Sequence, residues 1–290
     1  SLCPVISFPG FTCDSTSYAN NYTRVSLHRE KRMKRRQLMR YAQASLLATA
    51  GMGIASGWES YQAQGTDALS VQWLGHTCFL FSGGKQRVLV NPFRTVGCTA
   101  GYRQPKVNAN LVMISSNLLD EGFVEILPGN PKLLHEPGVF QFSNLRIQGI
   151  NTDHDRLGGR RFGMNVAWTW TQAGVKILHL GGAAAPITLE QKILMGRPDV
   201  LLIPVGGGPK AYLPGEAKQA IQALNPKVII PTHYRTQAAT KGACDIVSLD
   251  EFLTLMTGVP VQQVGKDTLS LKPSDLPKEG SVIRVLSYKF

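Results

Sequence analysis

Six histidines occur, at positions 28, 76, 135, 154, 179 and 233, and three of them share a setting. His76 closes an apolar run in Trp73-Leu74-Gly75-His76. His154 lies in Asn151-Thr152-Asp153-His154-Asp155, directly after a run ending at Ile150. His233 follows Val228–Ile230 in Pro231-Thr232-His233-Tyr234. A side chain just beyond a buried strand is held by a rigid backbone yet free to reach a ligand. Asp120 and Glu121 also follow an apolar run, 111–115. Imidazoles and carboxylates from separate loops suit one borderline divalent cation such as zinc. The same groups can equally bond to one another in a pocket that holds no ion, and both readings stand.

Other chemistry is weaker. Gly206-Gly207-Gly208-Pro209-Lys210 lacks the Gly-Lys-Ser/Thr ending of a phosphate-binding loop; it reads as a tight strand-to-helix turn, with an anion near Lys210 as the alternative. Gly158-Gly159-Arg160-Arg161 puts two cations on a glycine turn beside His154, either solvated or facing an acidic group. Five cysteines without a Cys-x-x-Cys pair exclude a zinc ribbon and a disulfide-built scaffold. Cys78, Cys98 and Cys244 read as single thiols, with Cys98 the exposed one near a pocket. A nucleophilic role for it needs a base that sequence does not reveal.

The elements that must position these groups begin at residue 69. Strand-like runs are expected at 69–74, 78–82, 87–91, 111–115, 139–142, 145–150, 165–172, 175–180, 200–205 and 228–230, with later ones near 268–271 and 281–288. Helical patterns cover 189–195, 214–224 and 249–256. Strands come first in meander order and later alternate with helices. That order suits an α/β domain of two mixed sheets between helices.

The ordered motifs Trp73-Leu74-Gly75-His76-Thr77, Leu89-Val90-Asn91-Pro92-Phe93, His154, Leu178-His179-Leu180-Gly181-Gly182, 199–207 and Pro231-Thr232-His233-Tyr234 together resemble the metallo-β-lactamase-fold hydrolases. The similarity spans about residues 69–272. Within that superfamily it is nearest the ascorbate-6-phosphate lactonases and related phosphodiesterases. The resemblance implies a four-layer αββα sandwich over 69–290 and a metal-dependent hydrolase of a small ester, lactone or phosphodiester. It also implies a ligand signature of the form Thr-His-x-His-x-Asp-His. Here that stretch is Ser115-Ser116-Asn117-Leu118-Leu119-Asp120-Glu121, so only the aspartate is kept, as Asp120. The next histidine matches His154, the bridging aspartate matches Gly182, and the last histidine matches His233. One of the family's two metal positions thus keeps a single donor. The other keeps Asp120 and His233 and gains Glu121. The expected metal ligands are Asp120, Glu121, His233 and His154, and the expected catalytic groups are Asp120, His154 and His76. The cofactor is one zinc or other divalent ion, or none. The competing reading is a non-catalytic binding or scaffold protein that retains the fold.

The chain has 290 residues, 43% of them hydrophobic and 17% charged, so it can bury a sizeable core and is not wholly disordered. Its net charge of +12 is uneven: residues 1–40 hold eight Lys/Arg against Asp14 and Glu30, half of the total. A nucleic-acid partner is therefore not expected; a small-molecule ligand is. Residues 1–32, Ser-, Asn- and Tyr-rich without periodicity, read as a disordered or non-native upstream extension of Met33. Residues 33–68 read as a signal or anchor and linker. Lys34-Arg35-Arg36-Gln37-Leu38-Met39-Arg40 precedes an uncharged stretch from Leu46 to Ser56, which resembles a twin-arginine export signal. A basic helix lying on a membrane surface is the alternative, and a cytoplasmic protein the remaining one. Replacing Arg35 and Arg36 together by Lys should leave precursor in the cytoplasm on fractionation. Unchanged fractionation would favour the plain basic helix.

Overall fold

A computed structural model describes residues 68–240 and 243–290. The expectations for residues 1–32 and for the twin-arginine stretch lie outside the described residues. No helix among the described residues is long and apolar enough to cross a membrane.

The strands are β1 (Leu69–Gly75), β2 (Cys78–Gly83), β3 (Gln86–Val90), β4 (Leu111–Met113), β5 (Lys132–Leu134), β6 (Gly138–Phe142), β7 (Leu145–Asp153), β8 (Met164–Gln172), β9 (Val175–His179), β10 (Val200–Pro204), β11 (Val228–Thr232), β12 (Val261–Gln263), β13 (Thr268–Leu271) and β14 (Val282–Val285). Among the described residues three α-helices join them: α1 (Leu189–Met195), α2 (Pro214–Leu224) and α3 (Leu249–Leu255). One sheet has the order β13-β1-β2-β3-β4-β5 and the other β12-β14-β11-β10-β9-β8-β7-β6. The second begins as an antiparallel meander from β6 to β9 and turns parallel through β10, β11, β14 and β12. This is the expected α/β sandwich of two mixed sheets.

Residue type explains each layer. In β1, Leu69, Val71 and Trp73 are buried and alternate with half-buried residues, as a strand with one inward face requires. β10 (Val-Leu-Leu-Ile-Pro) and β11 (Val-Ile-Ile-Pro-Thr) are buried throughout, because helices cover the face that the other sheet does not. The sheets meet through aromatic contacts. Phe81 and Trp170 stack edge-on with centroids 4.9 Å apart, and the Trp168 indole donates to the Ile114 carbonyl at 3.1 Å. Thr188 caps α1 by accepting from the Gln191 amide, and the Glu216 carboxylate accepts from Leu213 N–H ahead of Pro214 at the start of α2.

Three differences from the sequence reading stand out. β5 and β12, each three residues long, were not expected; β12 is exposed along its whole length, so no apolar pattern marks it. The last strand ends at Val285 rather than 288. Cys98 is not a single thiol: it forms a disulfide with Cys244, Cα to Cα 4.8 Å across 146 residues. Only Cys78 among the three is free, and it is buried.

The loop after β7 is organised by one carboxylate. Asp155 accepts N–H groups from Leu157, Gly159, Arg161 and Phe162 at 2.7 to 3.0 Å. Desolvation opposes its charge, but those amides hold its pKa down at about 2 against an ordinary 3.8. A folded-state pKa below the unfolded one contributes stability above about pH 4, lost as pH falls through about 2. Asp155→Ala should therefore be less stable than the parent near neutrality in urea denaturation. The gap should close between about pH 4 and pH 2; a gap independent of pH would refute this account of the loop.

Candidate metal site at the strand ends

Three loops bring His76, Asp120 and His233 together. Each offers one ligand atom, and these atoms all lie within 4.8 Å of one another. His76 sits in the β1–β2 turn, where the Trp73 indole donates to the His76 carbonyl at 3.0 Å. The turn needs Gly75: its φ is +112°, and a Cβ there would sit 2.6 Å from the Tyr102 ring. His233 directly follows β11, and its carbonyl accepts from Gly206 N–H at 2.9 Å. Both histidines have left-handed backbones, φ 52° and 51°. Non-glycine residues adopt that conformation only when their surroundings impose it, and such residues cluster at functional sites. Asp120 comes from the loop after β4, in a turn where Glu121 N–H donates to the Leu118 carbonyl at 3.0 Å.

The cluster has the chemistry of a cation site. His76 Nε2 lies 3.6 Å from Asp120 Oδ2, and the two imidazoles stack with centroids 4.4 Å apart. His76 Nε2 and His233 Nδ1 are buried and have no hydrogen-bond partner. Burial, reinforced by His76 alongside, pushes the His233 pKa down to about 3, so its ring is neutral and can donate a lone pair. Asp120 lies well below the ordinary carboxylate range. Burial works against that, but His76 and the Lys210 ammonium more than offset it.

Behind the cluster lies a second pair. Glu121 and His154 are both fully buried, with Oε2 and Nε2 3.0 Å apart. His154 Nδ1 donates to the Lys210 carbonyl at 2.9 Å, so both ring nitrogens are occupied. Ser116 Oγ donates to the same Glu121 oxygen at 3.1 Å. Burial disfavours both charges, yet their mutual attraction and hydrogen bond lower the carboxyl and raise the imidazole. Both ring nitrogens face acceptor oxygens, the arrangement that an imidazolium beside a carboxylate makes. The pair packs on Gly182: a Cβ there would overlap His154 Cε1 and stand 2.6 Å from Glu121 Oε1.

Lys210 completes the arrangement. Its ammonium donates to Asp120 Oδ2. The Arg156 guanidinium reaches the carbonyls of Gly208 and Ala211 on either side, at 3.0 and 2.8 Å, while pairing with Glu216. Asp120, Lys210, His233 and Asp245 are the charged and imidazole side chains that line a cavity of about 360 Å³. Val96, Leu118, Leu119, Phe162 and Ile246 supply its apolar wall, and the Cys98–Cys244 disulfide ties two bordering loops.

Of the residues singled out from sequence, Asp120, His76 and His233 meet in one cluster. Glu121 and His154 face each other instead. His179 is satisfied elsewhere, donating to the Thr77 carbonyl at 2.9 Å, with burial lowering its pKa to about 4. The Lys210–Asp120 pairing joins residues 90 apart, which no local pattern reveals. The packing on Gly182 yields a direct test. Gly182→Ala should lower the urea midpoint by an amount equal to about 1–3 kcal/mol, the usual cost of overpacking, with the m-value unchanged. Undiminished stability would show that the ion pair does not press on this glycine.

Comparison with known proteins identifies the family. The sequence profile of the beta-lactamase superfamily domain matches residues 70–233. A UPF0173 metal-dependent hydrolase of Thermoplasma acidophilum is 26% identical over 195 residues, covering 58% of this chain and 84% of that protein. One of Archaeoglobus fulgidus is 26% identical with the same coverage. A Thermotoga maritima structure, assigned to the Zn-dependent hydrolases of the metallo-β-lactamase superfamily, superposes with a TM-score of 0.59 at 27% identity, over 76% of this chain and all of that one. A Parabacteroides distasonis structure at 15% identity, with a TM-score of 0.52 over 76% of this chain and 94% of that one, shares the fold. The chain belongs to the metallo-β-lactamase-fold hydrolase superfamily.

Proposed function

We propose that this chain is a single-metal hydrolase of a small ester, lactone or phosphodiester, with the ion held by His76, Asp120 and His233. The observation that carries the reading is the convergence of those three ligand atoms within 4.8 Å, with two buried imidazole nitrogens lacking partners, beside a pocket that Asp120 and His233 line. Two imidazoles and one carboxylate are a donor set found in catalytic zinc sites. The naming of the UPF0173 relatives as metal-dependent hydrolases supports it.

A second ion does not fit. The positions that match the family's other ligands carry Ser116, Leu118 and Gly182. The room beside Gly182 is taken by Glu121 and His154. The Glu121 carboxylate there is already paired with His154. His76 stands in the site where Glu121 was expected as a ligand.

A bound divalent ion supplies Lewis-acid polarisation of a carbonyl or phosphoryl group and activates water at neutral pH. The chain's own residues do the rest. His76, Asp120 and His233 fix the ion's place from three rigid strand ends. Leu118 and Phe162 give the bond to be cleaved an apolar surround, which strengthens polar contacts beside it. The Lys210 ammonium presents a positive charge to an anionic substrate group. The Cys98–Cys244 disulfide supports work in an oxidising compartment, in keeping with the export reading of residues 33–56.

The Lys210–Asp120 pair favours one other reading, a non-catalytic binding protein whose lysine fills the cation's place. Elemental analysis and calorimetric titration separate the two. The expected stoichiometry is about one divalent ion per chain, and His76→Ala or His233→Ala should each abolish binding, because three protein donors fall to two. Two ions per chain, or binding that survives loss of His233, would overturn the ligand assignment. No binding at any concentration would establish the non-catalytic reading.

A further inference from the structure

We propose that Lys210 and a divalent cation are alternative occupants beside Asp120, so that metal loading displaces the Lys210 ammonium from that carboxylate into the pocket. The inference rests on the single-metal reading above. Lys210 Nζ is bonded to Asp120 Oδ2, the same oxygen that faces His76 Nε2 at 3.6 Å. A dication held by that oxygen and that imidazole would meet the ammonium within a few ångströms. Like charges so close, in a part-buried site, repel strongly. Both cannot stay.

The structure also provides for the exchange. The Lys210 carbonyl is held by His154 Nδ1 at 2.9 Å, and Arg156 grips Gly208 and Ala211 on either side. The backbone at Lys210 is therefore fixed by bonds that do not involve its side chain. Only the flexible four-carbon stem has to turn, and beside it lies the 360 Å³ cavity that Lys210 already lines. With the ion absent, Lys210 neutralises Asp120. With it present, the same ammonium is the cation that the pocket offers to an anionic substrate group, such as a carboxylate or phosphate.

The test uses the full-length protein stripped of metal and titrated calorimetrically with Zn²⁺. Lys210→Met removes the competitor and should tighten Zn²⁺ binding about tenfold, between what an exposed ion pair and a buried one are worth. In the parent, saturation with Zn²⁺ should increase acetylation of Lys210 by an amine-reactive reagent severalfold, read by peptide mass spectrometry. Should the methionine variant fail to fold, Lys210→Gln removes the charge while keeping a hydrogen-bonding group. Equal affinity in parent and variant, with unchanged labelling, would overturn the exchange and leave the single-metal site standing. Weaker binding in the variant would also overturn it, making Lys210 a support of the site. Absence of Zn²⁺ binding from both proteins would overturn the exchange and the metal site together.

Discussion

Burying a carboxylate and an imidazolium side by side costs several kcal/mol for each ion before their attraction is counted. Glu121 and His154 offset that cost with a close contact and with further bonds from each partner: Ser116 Oγ on the carboxylate and the Lys210 carbonyl on the ring. Those outer bonds spread the pair's influence. Glu121 is the chain neighbour of Asp120, so fixing one fixes the backbone of the other. The Lys210 carbonyl belongs to the residue whose ammonium faces Asp120. One buried pair thus sets the position of an anion and of its counter-cation from opposite sides. The glycine at 182 is what leaves room for it.

The sandwich supplies the frame that this arrangement needs. β4, β7 and β11 belong to two different sheets, yet their following loops deliver Asp120, Glu121, His154 and His233 to one place. The register that achieves this is fixed wherever a strand has a buried face, as in β7, because a one-residue slip would turn every side chain to the other face. Against that rigidity, the left-handed backbones of His76 and His233 are local strain carried by the surrounding packing. The Trp73 indole on the His76 carbonyl and the Gly206 amide on the His233 carbonyl are the bonds that sustain it.

How much of this was legible depended on the range of the interaction. The strands and helices of the body follow local periodicity, so β1 through β4, β10, β11 and the three helices lie close to where the apolar runs put them. The strand-end positions of His76, His154 and His233 were legible for the same reason. β12 was not, because Val261–Gln263 is exposed and shows no alternation. Partner choice was not legible either. Glu121 and Asp120 are adjacent and chemically alike, and only the fold decides that one meets His154 and the other meets His76, His233 and Lys210. The Cys98–Cys244 pairing closes across 146 residues, and sequence spacing carries no signal for connectivity at that range.

Charge accounting within the pocket explains why the site can exist on this chain at all. Two neighbouring carboxylates reach the same interior, and an unpaired carboxylate there would drive up its own pKa or unfold its loop. Each has a cation from within the chain, His154 for Glu121 and Lys210 for Asp120, so the fold does not depend on an ion to neutralise them. The two cations differ in kind. His154 is fully buried, bonded through both nitrogens and packed on a glycine, so it has nowhere to go. Lys210 is partly exposed, its ammonium is bonded to Asp120, and it borders open volume. The first behaves as a permanent part of the structure and the second as one that can be exchanged. That difference follows from burial and side-chain length, and it places whatever responsiveness this pocket has at Asp120 and Lys210.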